Sequence, residues 1–411
     1  MKIIKTEIPL PNEVAAALDH LSQNGFKAYI VGGAIRDFLL GKKPHDFDIC
    51  TSAQPAETLS AFRGYRSYKT GIKHGTITVI INHAPIDITT FRTEGEYTDH
   101  RHPDSISFTS SAETDSQRRD FTINAFYYYP EFIYDFHSGL EDLHHRTIRA
   151  IGDPYQRFDE DALRILRAIR FSATLDFQIE PGTQSAMLAC AHYLNDISEE
   201  RIESEISRIA ASDSFFAIVR KQSAIFETIF QFKDEKWKND LPLVSSDNAY
   251  SNLALLLRSD RISPSRAYDL LHSLKYSSAT AEAIRSLLDI DESFTFDELN
   301  DPSRFRLLLL ETAPLDPEVV IRYIWGRSGS TDRDSLDRTI SRLYADPLID
   351  GTPISTRDLK ITGNDLKRAG MKPGPEFKNT LEELLLSVNQ MRLPNERKAQ
   401  LAWLKKKLEH N

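Results

Sequence analysis

Cysteine is almost missing from these 411 residues: only Cys50 and Cys190 occur. Two thiols exclude a disulfide framework and a thiolate metal site. Long apolar runs are missing too. The longest, Ala186–Ala191, has six residues, whereas a membrane-spanning helix needs about 20, so no membrane partner is expected. The opening stretch, Met1-Lys-Ile-Ile-Lys-Thr-Glu, carries neither the apolar block of a secretory signal nor the Arg/Ser bias of a transit peptide. A reducing cytoplasm is the expected location. There is no Gly-x4-Gly-Lys-Ser/Thr, and no Gly-x-Gly-x-x-Gly follows a strand-like run; P-loop and dinucleotide-binding readings fall away. A basic excess is also lacking. Lys and Arg number 51 against 60 Asp and Glu, a net charge of −9, which argues against wholesale coating by nucleic acid while leaving room for local basic surfaces.

What is present fits a globular chain of about two to four domains. The composition divides near residue 150. Before it lie β-branched and aromatic runs separated by turns, which read as strands: Lys27–Val31, Asp46–Cys50, Thr76–Ile81, Ile86–Phe91 and Thr122–Tyr129. Leu18–Gly25 and Ala34–Gly41 read as helices, the second closed by a glycine cap. After residue 155, apolar residues recur every three or four positions, as in Asp161–Ala173, Ile202–Ile209 and Leu381–Val388. The expected architecture is an α/β front third followed by an all-helical remainder. Pro181-Gly, Ser245–Asn248 and Gly326–Asp332 read as breaks within it. From Ile361 onward the charge balance reverses, with ten Lys/Arg against six Asp/Glu.

The most informative segment runs from Val31 to Cys50 and reads strand, glycine turn, helix, turn, strand. Gly32 and Gly33 let backbone approach a ligand closely, as a phosphate requires. Asp46 and Asp48, two apart on a strand, project from one face while Phe47 and Ile49 turn to the core. Two adjacent carboxylates repel, and a hard cation such as Mg²⁺ bridging substrate phosphate relieves that repulsion. Asp87, polar between Ile86 and Ile88, is a candidate third ligand for a two-metal site. On spacing alone the same residues also suit an ordinary glycine turn and a pair of surface acids.

A second constellation opens the helical part, Arg157-Phe-Asp-Glu-Asp-Ala-Leu-Arg-Ile-Leu-Arg-Ala-Ile-Arg. Asp161 and Arg164, three apart, are predicted to neighbour each other on a helix, with Arg167 and Arg170 continuing the row. A solvated, salt-bridged face has the same pattern. The chemical reading is sharper. Asp only accepts and Arg only donates. Cytosine and adenine each present an amine donor beside a ring-nitrogen acceptor, whereas uracil and guanine reverse that order and would leave groups unpaired. Between the constellations, Arg118-Arg-Asp-Phe suits phosphate and ribose hydroxyls, and Asp135–Leu143 reads as architectural. Residues Arg92–Asp104 read as a loop.

Five stretches, Gly32–Asp37, Asp46–Asp48, Thr70–Thr76, Arg118–Ala125 and Glu160–Arg167, occur in an order that resembles the polymerase-β-type nucleotidyltransferases. Within that superfamily they resemble the bacterial CCA-adding tRNA nucleotidyltransferases, of the branch shared with bacterial poly(A) polymerases. The resemblance implies an α/β nucleotidyltransferase head (1–150) followed by an all-α neck (151–215), body (216–330) and tail (331–411). It further implies Asp46 and Asp48 as Mg²⁺ ligands, with Asp87 as a third catalytic carboxylate. Gly33, Arg36 and Arg119 would contact the nucleotide; Asp161 and Arg164 would pair with its base, assisted by Arg167 and Arg170. Lys367, Arg368, Lys372, Lys405, Lys406 and Lys407 would grip RNA in the tail.

The implied activity is template-independent addition of CCA to tRNA from CTP and ATP, by metal-assisted attack of the 3′-hydroxyl on the α-phosphate. Rivals within the same chemistry are an A-adding half of a split system, a CC-only enzyme and a poly(A) polymerase; an inactive tRNA-binding protein is the rival from another class. Gly64-Tyr-Arg-Ser-Tyr lacks the basic signature of the poly(A) enzymes. The loop after Arg92, lost in CC-only relatives, is retained. A carboxyl-terminal phosphohydrolase would need a His-Asp pair, and the chain's sole one, His45-Asp46, lies inside the first motif.

Overall fold

The computed structural model describes residues 1–44, 46–95, 105–232, 235–313, 315–345, 353 and 355–409. They form two compact units, Met1–Glu205 with Ala224–Ile229, and Ile206–Ser223 with Phe230–Asn411.

The first unit begins as α/β. Its strands are β1 (Lys2–Lys5), β2 (Ala28–Val31), β3 (Asp48–Thr51), β4 (Ser67–Tyr68), β5 (Thr76–Ile81), β6 (Ala84–Thr90), β7 (Arg92–Glu94), β8 (Ile106–Phe108), β9 (Phe126–Tyr129) and β10 (Phe132–Asp135). Eight of them make one sheet in the order β1-β10-β9-β2-β3-β6-β5-β4. Every neighbouring pair is antiparallel except β3–β6, which run parallel with Ile49 beside Ile88. Period-2 alternation sorts the faces. Ile30, Ile49, Ile77, Val79, Ile88 and Tyr128 point to the main core, where helix α1 (Asn12–Gln23) supplies Leu18 and Leu21 and α2 (Gly33–Leu39) supplies Ile35. Val31, Cys50, Phe91 and Tyr127 form a smaller cluster on the other face.

The predicted strands appear with shifted limits. The run from Asp46 becomes strand only at Asp48, so Asp46 precedes the strand rather than belonging to it. Thr122–Tyr129 is half right: Thr122–Asn124 form a 3₁₀ turn and only Phe126–Tyr129 are extended. Side chains explain the turn, because Thr122 Oγ1 donates to Asp142 (2.7 Å) and Asn124 accepts from Arg36 (2.7 Å), local pulls that compete with ladder bonding. Arg92–Glu94 pair with Ile106–Phe108 instead of forming loop; the remainder of that expected loop, 96–104, lies outside the described residues.

Helices α3 (Pro55–Ala61), α4 (Ala112–Ser116) and α5 (Gly139–His144) complete the head, followed by α6 (Pro154–Glu160), α7 (Leu163–Leu175), α8 (Pro181–Cys190) and α9 (Glu199–Ala210). The continuous helix expected through Asp161 is broken there. Asp161 is extended (φ −145°, ψ 97°), and its Oδ1 accepts from Leu163 N at 3.2 Å, so the side chain supplants a helical bond. The break read at Pro181-Gly falls just before it, between the end of α7 at Leu175 and Pro181, which opens α8 where its missing N–H costs nothing.

The second unit is helical. Gly326 lies within helix Pro317–Arg327, leaving Ser328–Asp332 as the link to the next helix. Ser245–Asn248 is a loop that ends in Asn248, whose side chain caps helix Ala249–Ser259. Helices Gly363–Arg368, Pro375–Asn389 and Arg397–Glu409 close around Leu366, Leu384, Leu385, Val388 and Leu404. Among the described residues no helix is long and apolar enough to cross a membrane.

Asp135–Leu143 is architectural, as its sequence suggested. Asp135 accepts from the N–H groups of His137, Gly139 and Leu140 at 3.1, 2.9 and 3.0 Å. A Cβ on Gly139 would collide with the carbonyl oxygen of Thr122. Gly139→Ala is therefore expected to cost about 1–3 kcal/mol of stability through overpacking, read as a lower unfolding midpoint in denaturant.

Candidate active site

The glycine turn sits between β2 and α2. Gly32 holds φ +80°, a backbone region costly for other residues. Beside it, a Cβ on Gly33 would stand 3.4 Å from Arg36 Nη2, so glycine leaves room for the arginine to fold back. Arg36, 9% exposed, donates Nε and Nη2 to Asp37 (2.9 and 2.7 Å) and Nη1 to Asn124 Oδ1 (2.7 Å). Asn124 Nδ2 in turn donates to Asp120 Oδ1 at 3.3 Å.

The parallel register of β3 and β6 puts Asp48 and Asp87, one residue before Ile49 and Ile88, side by side on the face opposite the core. Asp87 accepts from Thr78 Oγ1 at 2.5 Å. Asp48 reaches solvent, yet its carboxyl is raised above the ordinary range by the protein around it and then by the charges of Asp87 and Asp46; Arg119 acts in the opposite sense. Acids that disfavour one another's charge suit a divalent cation. No group of three or more His, Cys, Asp or Glu among the described residues is arranged to hold an ion unaided.

Behind this face lies a carboxylate that the sequence reading passed over. Asp115, fully buried, accepts from Arg92 N (3.0 Å), Arg118 Nε (2.9 Å), Arg119 Nη2 (3.4 Å) and Tyr127 OH (2.5 Å). Arg119 also donates Nε to Tyr127 OH (2.9 Å) and reaches Cys50 Sγ (3.3 Å). Burial pushes Asp115 up, but Arg118 and Arg119 outweigh it and hold the carboxyl low. The one available signal was spacing, since Asp115 precedes the two arginines by three and four residues on a helical turn.

The arginine row is arranged differently from the sequence expectation. Asp161 and Arg164 do not pair through their side chains. Asp161 Oδ2 accepts from Arg201 Nη2 (2.9 Å), while Arg164 donates to Glu160 Oε2 (2.8 Å), Arg157 O (3.0 Å) and Arg118 O (3.0 Å). Three of the five guanidinium donors are thus taken and two remain. Arg167 grips Asp120 Oδ2 with Nε and Nη2 (2.8 and 2.6 Å), and Arg170 Nε donates to Glu205 Oε2 (2.6 Å). Burial pushes Asp120 up, and Arg167 more than offsets it. The guanidiniums of Arg36, Arg167 and Arg170 lie 5.1, 5.5 and 4.2 Å from the ring centre of Phe171, within cation–π range. Phe171, Arg201 and Glu205 were missed because the sequence offers only core and surface patterns for them.

The basic tail residues belong to the second unit. Lys367, Arg368, Lys372, Lys405 and Lys406 are exposed, whereas Lys407 pairs with Glu383 over the Trp403 ring.

Because the folded state holds Asp115 below its unfolded value, its contribution is present above about pH 4 and is lost as the pH falls through the folded value. Asp115→Asn is expected to cost about 3 kcal/mol at neutral pH. The gap to the parent should narrow in acid, as followed by unfolding midpoint against pH.

Comparison with known proteins places these features in a lineage. Residues 28–149 match the family model of the Poly A polymerase head domain, and residues 243–404 match that of tRNA nucleotidyltransferase domain 2. The chain is 34% identical to a CCA-adding enzyme of Streptococcus suis, over 98% of both chains. With a CCA-adding enzyme of Lactococcus lactis it shares 35% identity, over 97% of this chain and 98% of the relative. A crystal structure of the Bacillus stearothermophilus CCA-adding enzyme in complex with CTP superposes with a TM-score of 0.72 at 27% identity, covering 97% of each chain. A relationship that spans both units, together with a nucleotidyltransferase head carrying its glycine turn and paired strand carboxylates, leaves one conclusion: the chain belongs to the family of CCA-adding enzymes.

Proposed function

We propose that the protein adds CCA to the 3′ end of tRNA from CTP and ATP without a nucleic-acid template. The observation that carries this reading is the hydrogen-bonded run Arg36–Asn124–Asp120–Arg167. It ties the glycine turn, the Arg118-Arg-Asp segment and the arginine helix into one site within the first unit. The names of the relatives and the CTP complex of the Bacillus stearothermophilus enzyme support it.

In this reading residues 1–150 act as head, 151–215 as neck, 216–330 as body and 331–411 as tail. Gly33, Arg36 and Arg119 receive the triphosphate, where planar guanidiniums bind phosphate oxygens in pairs. Asp46 and Asp48, with Asp87 beside them, hold a divalent cation, taken to be Mg²⁺. When bound, the cation supplies charge neutralisation and a more acidic hydroxyl. Asp161 and Arg164 read the base, accepting from its amine and donating to its ring nitrogen, with Arg167 and Arg170 assisting. The arginines orient the α-phosphate for in-line attack by the tRNA 3′-hydroxyl, and pyrophosphate leaves. Catalysis is then mostly positioning and charge compensation. The exposed tail cations bind RNA backbone, and the cytoplasm is the natural setting.

Transcripts ending before CCA, after C and after CC, each given Mg²⁺ with CTP, ATP or both, test the activity. All three should stop at a complete CCA. Extension of the CC-ended transcript alone, by one A, would mark half of a split system, and a long A-ladder would mark a poly(A) polymerase. Asp46→Ala combined with Asp48→Ala should reduce incorporation to background while a filter-binding assay shows tRNA affinity largely intact; substantial residual incorporation would sink the carboxylate assignment.

A further inference from the structure

Asp161 is useful for base reading only if its lone pairs point in a fixed direction. Its Oδ1 is engaged by Leu163 N, and its Oδ2 accepts from Arg201 Nη2 at 2.9 Å. Arg201 enters from the first turn of α9 with its side chain 27% exposed. Its other terminal nitrogen, Nη1, is buried without a hydrogen-bond partner. One turn along the same face, Glu205, 5% exposed, takes Arg170 Nε at 2.6 Å. The start of α9 therefore supplies a cation to the acceptor and an anion to a donor of the arginine helix.

We propose that Arg201 is a positioning residue for nucleotide selectivity, fixing the direction of the Asp161 carboxylate as an acceptor for an exocyclic amine. The proposal rests on the reading of Asp161 as a base contact. A carboxylate released from Arg201 turns to other partners, and its lone pairs no longer meet an incoming amine at a fixed point. With that direction lost, the match to an exocyclic amine no longer separates cytosine and adenine from uracil and guanine. Arg201 need not touch the nucleotide for this.

The test measures kcat/KM for CTP, ATP, UTP and GTP on the appropriate tRNA transcripts, with Arg201→Gln, Arg201→Lys and Asp161→Ala compared with the parent. Thermal melting identifies which variants fold. Arg201→Gln should lower the preference for CTP over UTP by about tenfold, the share of one charged hydrogen bond. Arg201→Lys keeps the charge and loses the planar fork, so it should show a smaller loss in the same direction; it decides the matter if the Gln variant does not fold. A folded Arg201 variant that keeps the parent's preference, or that slows all four nucleotides by one factor, overturns the proposal. If Asp161→Ala relaxes the preference and Arg201→Gln does not, Arg201 alone is excluded. If Asp161→Ala also retains the preference, the base-reading assignment falls, and this inference with it.

Discussion

The carboxylate of Asp120 joins the sheet of the first unit to its helices. One oxygen takes the N–H of Phe121 and the amide of Asn124, and the other takes two nitrogens of Arg167. Through Asn124 the same carboxylate steadies Arg36 in the glycine turn. Such a cluster is stable only while every member has its partner, because an unpaired charge in a partly dry setting costs more than the pair contributes. The geometry of the turn and the geometry of the arginine helix are consequently not independent.

The sheet does the complementary work of separation. Ile49 and Ile88 face the core, so their neighbours Asp48 and Asp87 have to face away. On that same outward face Val31, Cys50, Phe91 and Tyr127 floor the layer of arginines. Burial and the nearby Asp115 push the Cys50 thiol up to about 11, which leaves it an inert contact for Arg119. A hydrophobic requirement thus places the polar chemistry.

Much of this was legible beforehand, for identifiable reasons. Thr76–Ile81 was readable to the residue because alternation and turn chemistry agree there, with Asn82 and His83 both at positive φ in the hairpin that follows. The glycine turn and Asp48 of β3 were readable because residue type and spacing alone define them, whereas Asp46 falls just before the strand. Asp161 was misread because its own side chain ends α6 and opens α7, a local competition that helical periodicity does not register. The edge strand β1 and its neighbour β10 went unseen, being short and joined by pairing between residues more than a hundred positions apart. Asp115, Phe171 and Arg201 acquire meaning only through partners assembled by the fold. For them the sequence carries composition but no address.

The arginines around Phe171 have a consequence for how an anion reaches them. None of the three is bare: Arg36 holds Asp37, Arg167 holds Asp120, and Arg170 holds Glu205. Arg164 is likewise paired, with Glu160, although two of its donors remain. An open basic patch gathers mobile salt ions and expels them when a phosphate lands, so its affinity drops steeply as salt rises. Here the counter-ions are covalently part of the chain. Under the proposed function, a triphosphate arriving at Arg36 would trade places with the tethered carboxylate of Asp37, which stays within reach to reclaim the arginine once the phosphate departs. Such a site would work as an ion exchanger whose resin and eluent are one molecule.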